Sequence, residues 1–73
     1  MVVGIYPNPA EDVLNVKANV SSFEYQLINN MGQVVVSGKA NGETRINVSE
    51  LNGVYFLKVI ANGNAQIEKV VIK

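Results

Sequence analysis

Apolar residues recur at every second position through most of this chain, and Gly, Asn and Pro clusters interrupt them about every eight to twelve positions. A period of two sends alternate side chains to opposite sides of an extended backbone. The pattern therefore predicts short antiparallel strands, because every connection is too brief for a parallel crossover. Val3 to Tyr6 reads as a first strand, stopped at Pro7-Asn8-Pro9, whose prolines cannot donate to a ladder. Further strands are expected over Val13 to Lys17, Phe23 to Asn29, Gln33 to Ser37, Thr44 to Val48, Val54 to Ala61 and Ala65 to Lys73. Asn29-Asn30-Met31-Gly32 and Asn62-Gly63-Asn64 are turn sequences, since Asn and Gly tolerate positive φ. Ser49 to Gly53 predicts one helical turn, with Ser49 as its N-cap, Leu51 pointing inward and Gly53 as the stop. Val34-Val35-Val36 gives no facing signal and suits a strand covered on both sides. The expectation is an all-β fold, a small immunoglobulin-like antiparallel β-sandwich of about seven strands, with a Greek-key barrel as the alternative.

At 73 residues the chain has room for one small domain, spanning 1–73, with a thin core. Its 48% apolar and 16% charged content is too hydrophobic for a disordered tail. No cysteine is present, which removes disulfides and thiolate metal sites. No histidine is present either, so Ser37, Thr44 and Ser49 have no partner for a Ser–His triad. Six basic residues offset six acidic ones without clustering, so a nucleic-acid footprint is missing. The longest apolar runs, such as Val54 to Leu57, fall far short of the ~20 residues of a membrane-spanning helix. Met1-Val2-Val3-Gly4 lacks the features of a signal peptide.

Few residues invite a chemical role. Glu11 and Asp12 are adjacent, point apart and have no neighbouring acid to complete a calcium shell, so they read as a solvated loop. The glycines fall at turns or strand ends and do not form a phosphate loop. Asn19-Val20-Ser21 and Asn47-Val48-Ser49 fit the glycosylation sequon by chance. Of the aromatics, Tyr6, Phe23, Tyr25, Tyr55 and Phe56, most are expected to fill the core. Phe56 is the exception. With Tyr55, Leu57 and Val59 inward, Val54, Phe56, Lys58 and Ile60 make a second, largely apolar face. Either loops cover that face, the favoured expectation, or it is a docking surface.

Tyr6-Pro7-Asn8-Pro9-Ala10, Leu14, Val16, Leu27 to Gly32, Leu51-Asn52-Gly53-Val54-Tyr55-Phe56-Leu57-Lys58-Val59, Gly63 and Lys69-Val70-Val71-Ile72-Lys73 together resemble the type A C-terminal sorting domain of the type IX (Por) secretion system. The resemblance covers nearly the whole chain, and the two ends at this spacing are its specific part. Asn29-Asn30 departs from the family, which usually carries Asp before its Gly turn. The resemblance implies a β-sandwich ending a larger secreted protein of the Bacteroidetes. Such a domain addresses its cargo through the periplasm to an outer-membrane translocon, and a sortase then removes it at the cell surface. Met1 would be an introduced start. Implied partners are the translocon, a shuttle protein and the sortase, with no cofactor.

On this reading the last hairpin carries recognition, because a terminal edge strand offers unpaired backbone groups. The residues named for it are Gly53, Val54, Tyr55, Phe56, Lys69, Val70, Val71, Ile72 and Lys73, with Lys69 and Lys73 adding electrostatic steering. Tyr6, Pro7, Asn8 and Pro9 form a rigid N-terminal motif placed toward the sortase. The same edge strand would also permit a homodimer. The alternative function is a carbohydrate- or surface-binding module of a secreted hydrolase, which predicts a row of exposed aromatics.

Overall fold

A computed structural model describes the chain from Met1 to Lys73. Its strands are β1 (Val3–Tyr6), β2 (Val13–Ala18), β3 (Phe23–Asn29), β4 (Val34–Ala40), β5 (Glu43–Asn47), β6 (Gly53–Ala61) and β7 (Asn64–Ile72). They form two antiparallel sheets, one ordered β1-β2-β5 and the other β4-β3-β6-β7. The hairpins β1–β2, β3–β4 and β6–β7 stay within a sheet, while the β2–β3, β4–β5 and β5–β6 connections cross between sheets. This is the sandwich arrangement, and the separate sheets rule out the barrel.

Thirteen buried residues, all apolar, fill the space between the sheets. Leu14, Val16, Ala18, Ile46 and Val48 come from the three-stranded side. Phe23, Leu27, Leu57, Val59, Ala61, Val70 and Ile72 come from the four-stranded side, and Ala10 enters from the loop after β1. The alternation Leu14/Val16 and Leu57/Val59 places one side chain of each pair of neighbours in this layer, as a pleated strand requires.

The turns follow their residue chemistry. Asn62 and Gly63 take φ of 54° and 77°, the left-handed pair of a tight hairpin. Asn29 closes the β3–β4 turn, its Oδ1 accepting from the N–H groups of Met31 and Gln33, both at 2.9 Å. Asn thus supplies the acceptor that an Asp would supply there.

Three expectations need correction. The predicted helical turn is a simple turn, with Leu51 N–H donating to Val48 O at 2.9 Å. Ser49 does not cap it; Asn47 Oδ1 accepts from Ser49 N–H at 3.0 Å and from its hydroxyl at 2.7 Å. The valine run belongs to an edge strand, with Val34 and Val35 exposed, and the pairing register shifts between Leu27 and Ile28 so that Val35 is bulged. Gly38 lies inside β4, where a Cβ would stand 2.5 Å from Tyr25 Oη, so its role is to admit a ring and not to make a turn.

Candidate functional site

The tail hairpin β6–β7 divides its residues cleanly between two faces. Val70 pairs with Tyr55 and Ile72 with Gly53, and Leu57 and Val59 continue that inward side. Val54 pairs with Val71, and Phe56 with Lys69, on the outward side. Ile28 lies next to Phe56 on β3, and Val34 lies next to Ile28 on β4, so one apolar row crosses three strands and ends at Lys69. No loop covers this row. Phe56 is 37% exposed, Val54 39% and Ile67 60%, so the favoured expectation of a loop-covered face is overturned.

The same face is basic. Lys39, Lys58 and Lys69 lie on it with Glu24 as the lone acid, and Glu24 is held by Lys39 at 3.7 Å. Lys58 and Lys69 have no carboxylate partner, since that pair is the only salt bridge in the molecule. The face therefore presents apolar surface with two uncompensated cations beside it.

The N-terminal motif meets the C-terminal one. Asn8 reaches back to β7, its Nδ2 donating to Lys69 O at 3.2 Å while its Oδ1 accepts from Val71 N–H at 3.1 Å. A side-chain amide thus replaces a peptide group of a neighbouring strand. Ala10 continues the contact in parallel sense: its N–H donates to Val71 O at 2.9 Å and its O accepts from Lys73 N–H at 2.8 Å. Ala10 is fully buried, which anchors the loop in the core. The outward groups from Lys69 O to Lys73 N–H are consequently paired, and the terminal edge is not open there as the sequence suggests.

The predicted residues therefore separate. Val54, Phe56, Lys69 and Val71 come together on the outer face, with Lys73 exposed at the chain end. Tyr55, Val70 and Ile72 turn inward and serve the core. Gly53 starts β6 at φ 113°, a backbone role. Of the N-terminal motif, Asn8 holds β7, and Pro7 and Pro9 flank it. Tyr6 is 49% exposed and pairs with Asn15 on the outside of the other sheet. Because Tyr6 and Phe56 occupy opposite faces of the sandwich, the exposed aromatics form no row. Ile28 and Val34 carry no local sequence signal for this face, and only the register brings them beside Phe56.

Residues 4–73 match the family model described as the secretion system C-terminal sorting domain. The chain is also 34% identical over 67 residues to the ulvan lyase NLR42 of Nonlabens ulvanivorans, an alignment covering 85% of this chain and 12% of that protein. The chain thus spans about an eighth of the length of this relative.

Proposed function

The chain belongs to the C-terminal sorting domains of the type IX secretion system, and we propose that it addresses its cargo through the outer face of its tail hairpin. The family role is that of a secretion signal carried by a secreted or cell-surface protein. The finer reading is that residues 1–73 act as one unit, recognised in the periplasm by the translocon and its shuttle protein and removed by a sortase at the surface. The domain performs no chemistry of its own. Its cargo is a secreted enzyme of the kind that the lyase relative exemplifies.

The observation that carries this reading is the uncovered row of Val34, Ile28 and Phe56, which ends at Lys69, with Val54 and Lys58 flanking Phe56 on β6. Fully burying a side chain such as Phe or Val is worth about 1.5–3 kcal/mol, so a thin-cored domain that leaves several half-exposed forgoes stability unless a partner covers them. An aromatic side chain in an apolar patch with charged residues at its solvent-accessible edge has the layout of an interface core and its polar rim.

The test is a reporter fused ahead of the domain in a type IX-competent host. A Val54→Thr/Phe56→Thr double variant changes only outward side chains of β6 and keeps residues that favour strands. The expected result is reporter held in the periplasm with the domain folded. Normal export from that variant refutes the assignment of the face. Truncation of Val70 to Lys73 is a poorer test, because Val70 and Ile72 are core residues at 0% and 1% exposure and their loss unfolds the domain.

A further inference from the structure

We infer that Ala65 to Lys69 on β7 is a strand-addition site, and that its occupant is an extended segment of a secretion-machinery protein with an apolar residue across from Ile67 and an acidic residue across from Lys69. The inference rests on the sorting role proposed above.

Backbone groups along one edge of a strand point outward at every second residue. On β7 the outward groups that Asn8 and Ala10 satisfy belong to Lys69, Val71 and Lys73. Alternation then places the N–H and C=O groups of Ala65 and Ile67, and the N–H of Lys69, on the same open edge. Nothing in the fold pairs with them, since β7 has β6 as its only strand neighbour. An extended backbone matches a continuous run of donors and acceptors in that spacing.

The stretch is bounded and lined. Asn8 closes it beyond Lys69, and the Asn62-Gly63 turn closes the other end. Beside it a cleft is lined by Val3, Ile5, Asn8, Glu68 and Lys69, so an inward side chain of the added strand meets the apolar edge of β1. On the outer face the added strand would extend the apolar surface beyond Ile67, the most exposed large apolar side chain on the strands of that face at 60%, and would meet the uncompensated Lys69. The other edge of this sheet, β4, is guarded by its bulge at Val35; β7 has no bulge over its nine residues.

A second copy of the chain fits this edge poorly. Antiparallel pairing of two β7 strands about Ile67 sets Asn64 and Gly63 of the copy opposite Val70 and Val71, where Asn8 already lies. The next register, about Gln66, engages only Ala65 and Ile67. A free extended segment has neither restriction.

Ile67→Pro removes one outward N–H and fills the edge with a ring while leaving the β6 pairing intact, because edge positions tolerate Pro when the N–H faces away from the sheet. Ala65→Pro repeats the test one step nearer the turn, and Ile67→Ala changes the side chain alone. Each is assayed as a reporter fusion in the type IX-competent host, with circular dichroism melting of the 73-residue chain as the check on folding. The expected result is at least a tenfold drop in exported reporter for a folded Pro variant and a smaller drop for Ile67→Ala. Normal export from either Pro variant overturns the site. If Val54→Thr/Phe56→Thr blocks export while the Pro variants do not, the edge fails and the sorting face stands; if none of them blocks it, the sorting reading fails. Sedimentation equilibrium that finds a wild-type dimer dissolved by Ile67→Pro assigns the edge to a second copy and overturns the machinery segment as its occupant.

Discussion

Replacing Asn8 with alanine tests the clip between the two ends of the chain. The substitution removes one donor, to Lys69 O at 3.2 Å, and one acceptor, from Val71 N–H at 3.1 Å. A net intramolecular hydrogen bond contributes about 0.5–1.5 kcal/mol. Both bonds are solvent-exposed, so the freed backbone groups regain water and the lower half of that range applies to each. The pair is then worth about 1–2 kcal/mol. In a domain of 73 residues that is a large share of a total expected near 0.05–0.15 kcal/mol per residue, and each kcal/mol corresponds to roughly 4–8 °C in melting temperature. Urea denaturation reads the loss in stability, and amide exchange by NMR reads its location. Exchange should accelerate at Val71 first, whereas Lys73 keeps its bond to Ala10. Asn8→Asp separates geometry from side-chain size: the carboxylate still accepts from Val71 but cannot donate to Lys69 O, so it should recover only part of the loss. An alanine variant within about 0.3 kcal/mol of wild type, with Val71 exchange unchanged, refutes the clip.

Three further outcomes are expected. Leu57→Ala, at a fully buried position of a central strand, should cost about 2–5 kcal/mol and leave little folded protein by circular dichroism at 37 °C. Gly38→Val forces a side chain into the 2.5 Å gap beneath Tyr25 Oη; overpacking of this kind costs about 1–3 kcal/mol, read as a lower urea midpoint. Asn29→Ala removes the acceptor for two turn N–H groups and should lower stability by about 1 kcal/mol, with the broadest NMR shift changes confined to Met31 and Gln33.

The strands were legible because most of them bury one face only, and a half-buried strand writes its orientation into the sequence as alternation. Leu14/Val16 and Leu57/Val59 carry that signal without ambiguity. Val34-Val35-Val36 does not, because three successive apolar residues fit either a doubly covered strand or an edge strand with a bulge, and only the register distinguishes them. The 49–53 turn was misread because Ser49 and Asn47 both carry side-chain oxygens at cap-like positions, and the Asn two residues upstream makes the bond. Half of the candidate site was visible: the outward set Val54, Phe56, Lys69 and Val71 follows from period two once β6 and β7 are paired. The clip was not, since Asn8 and Val71 are 63 residues apart and an amide that imitates a peptide group has no local signature. Without it the terminal edge looks open along its whole length, whereas its open part is Ala65 to Lys69.

Export measured against stability across a variant series probes the surface-address account most directly. Each reporter fusion is scored for the fraction secreted and each isolated 73-residue chain for its urea midpoint, with Gly38→Val and Asn29→Ala as destabilised but surface-intact cases and Val54→Thr/Phe56→Thr as the altered face. The account predicts that the double variant falls well below the others in export at equal or higher stability. A single curve on which export follows stability alone, with the double variant lying on it, contradicts the account.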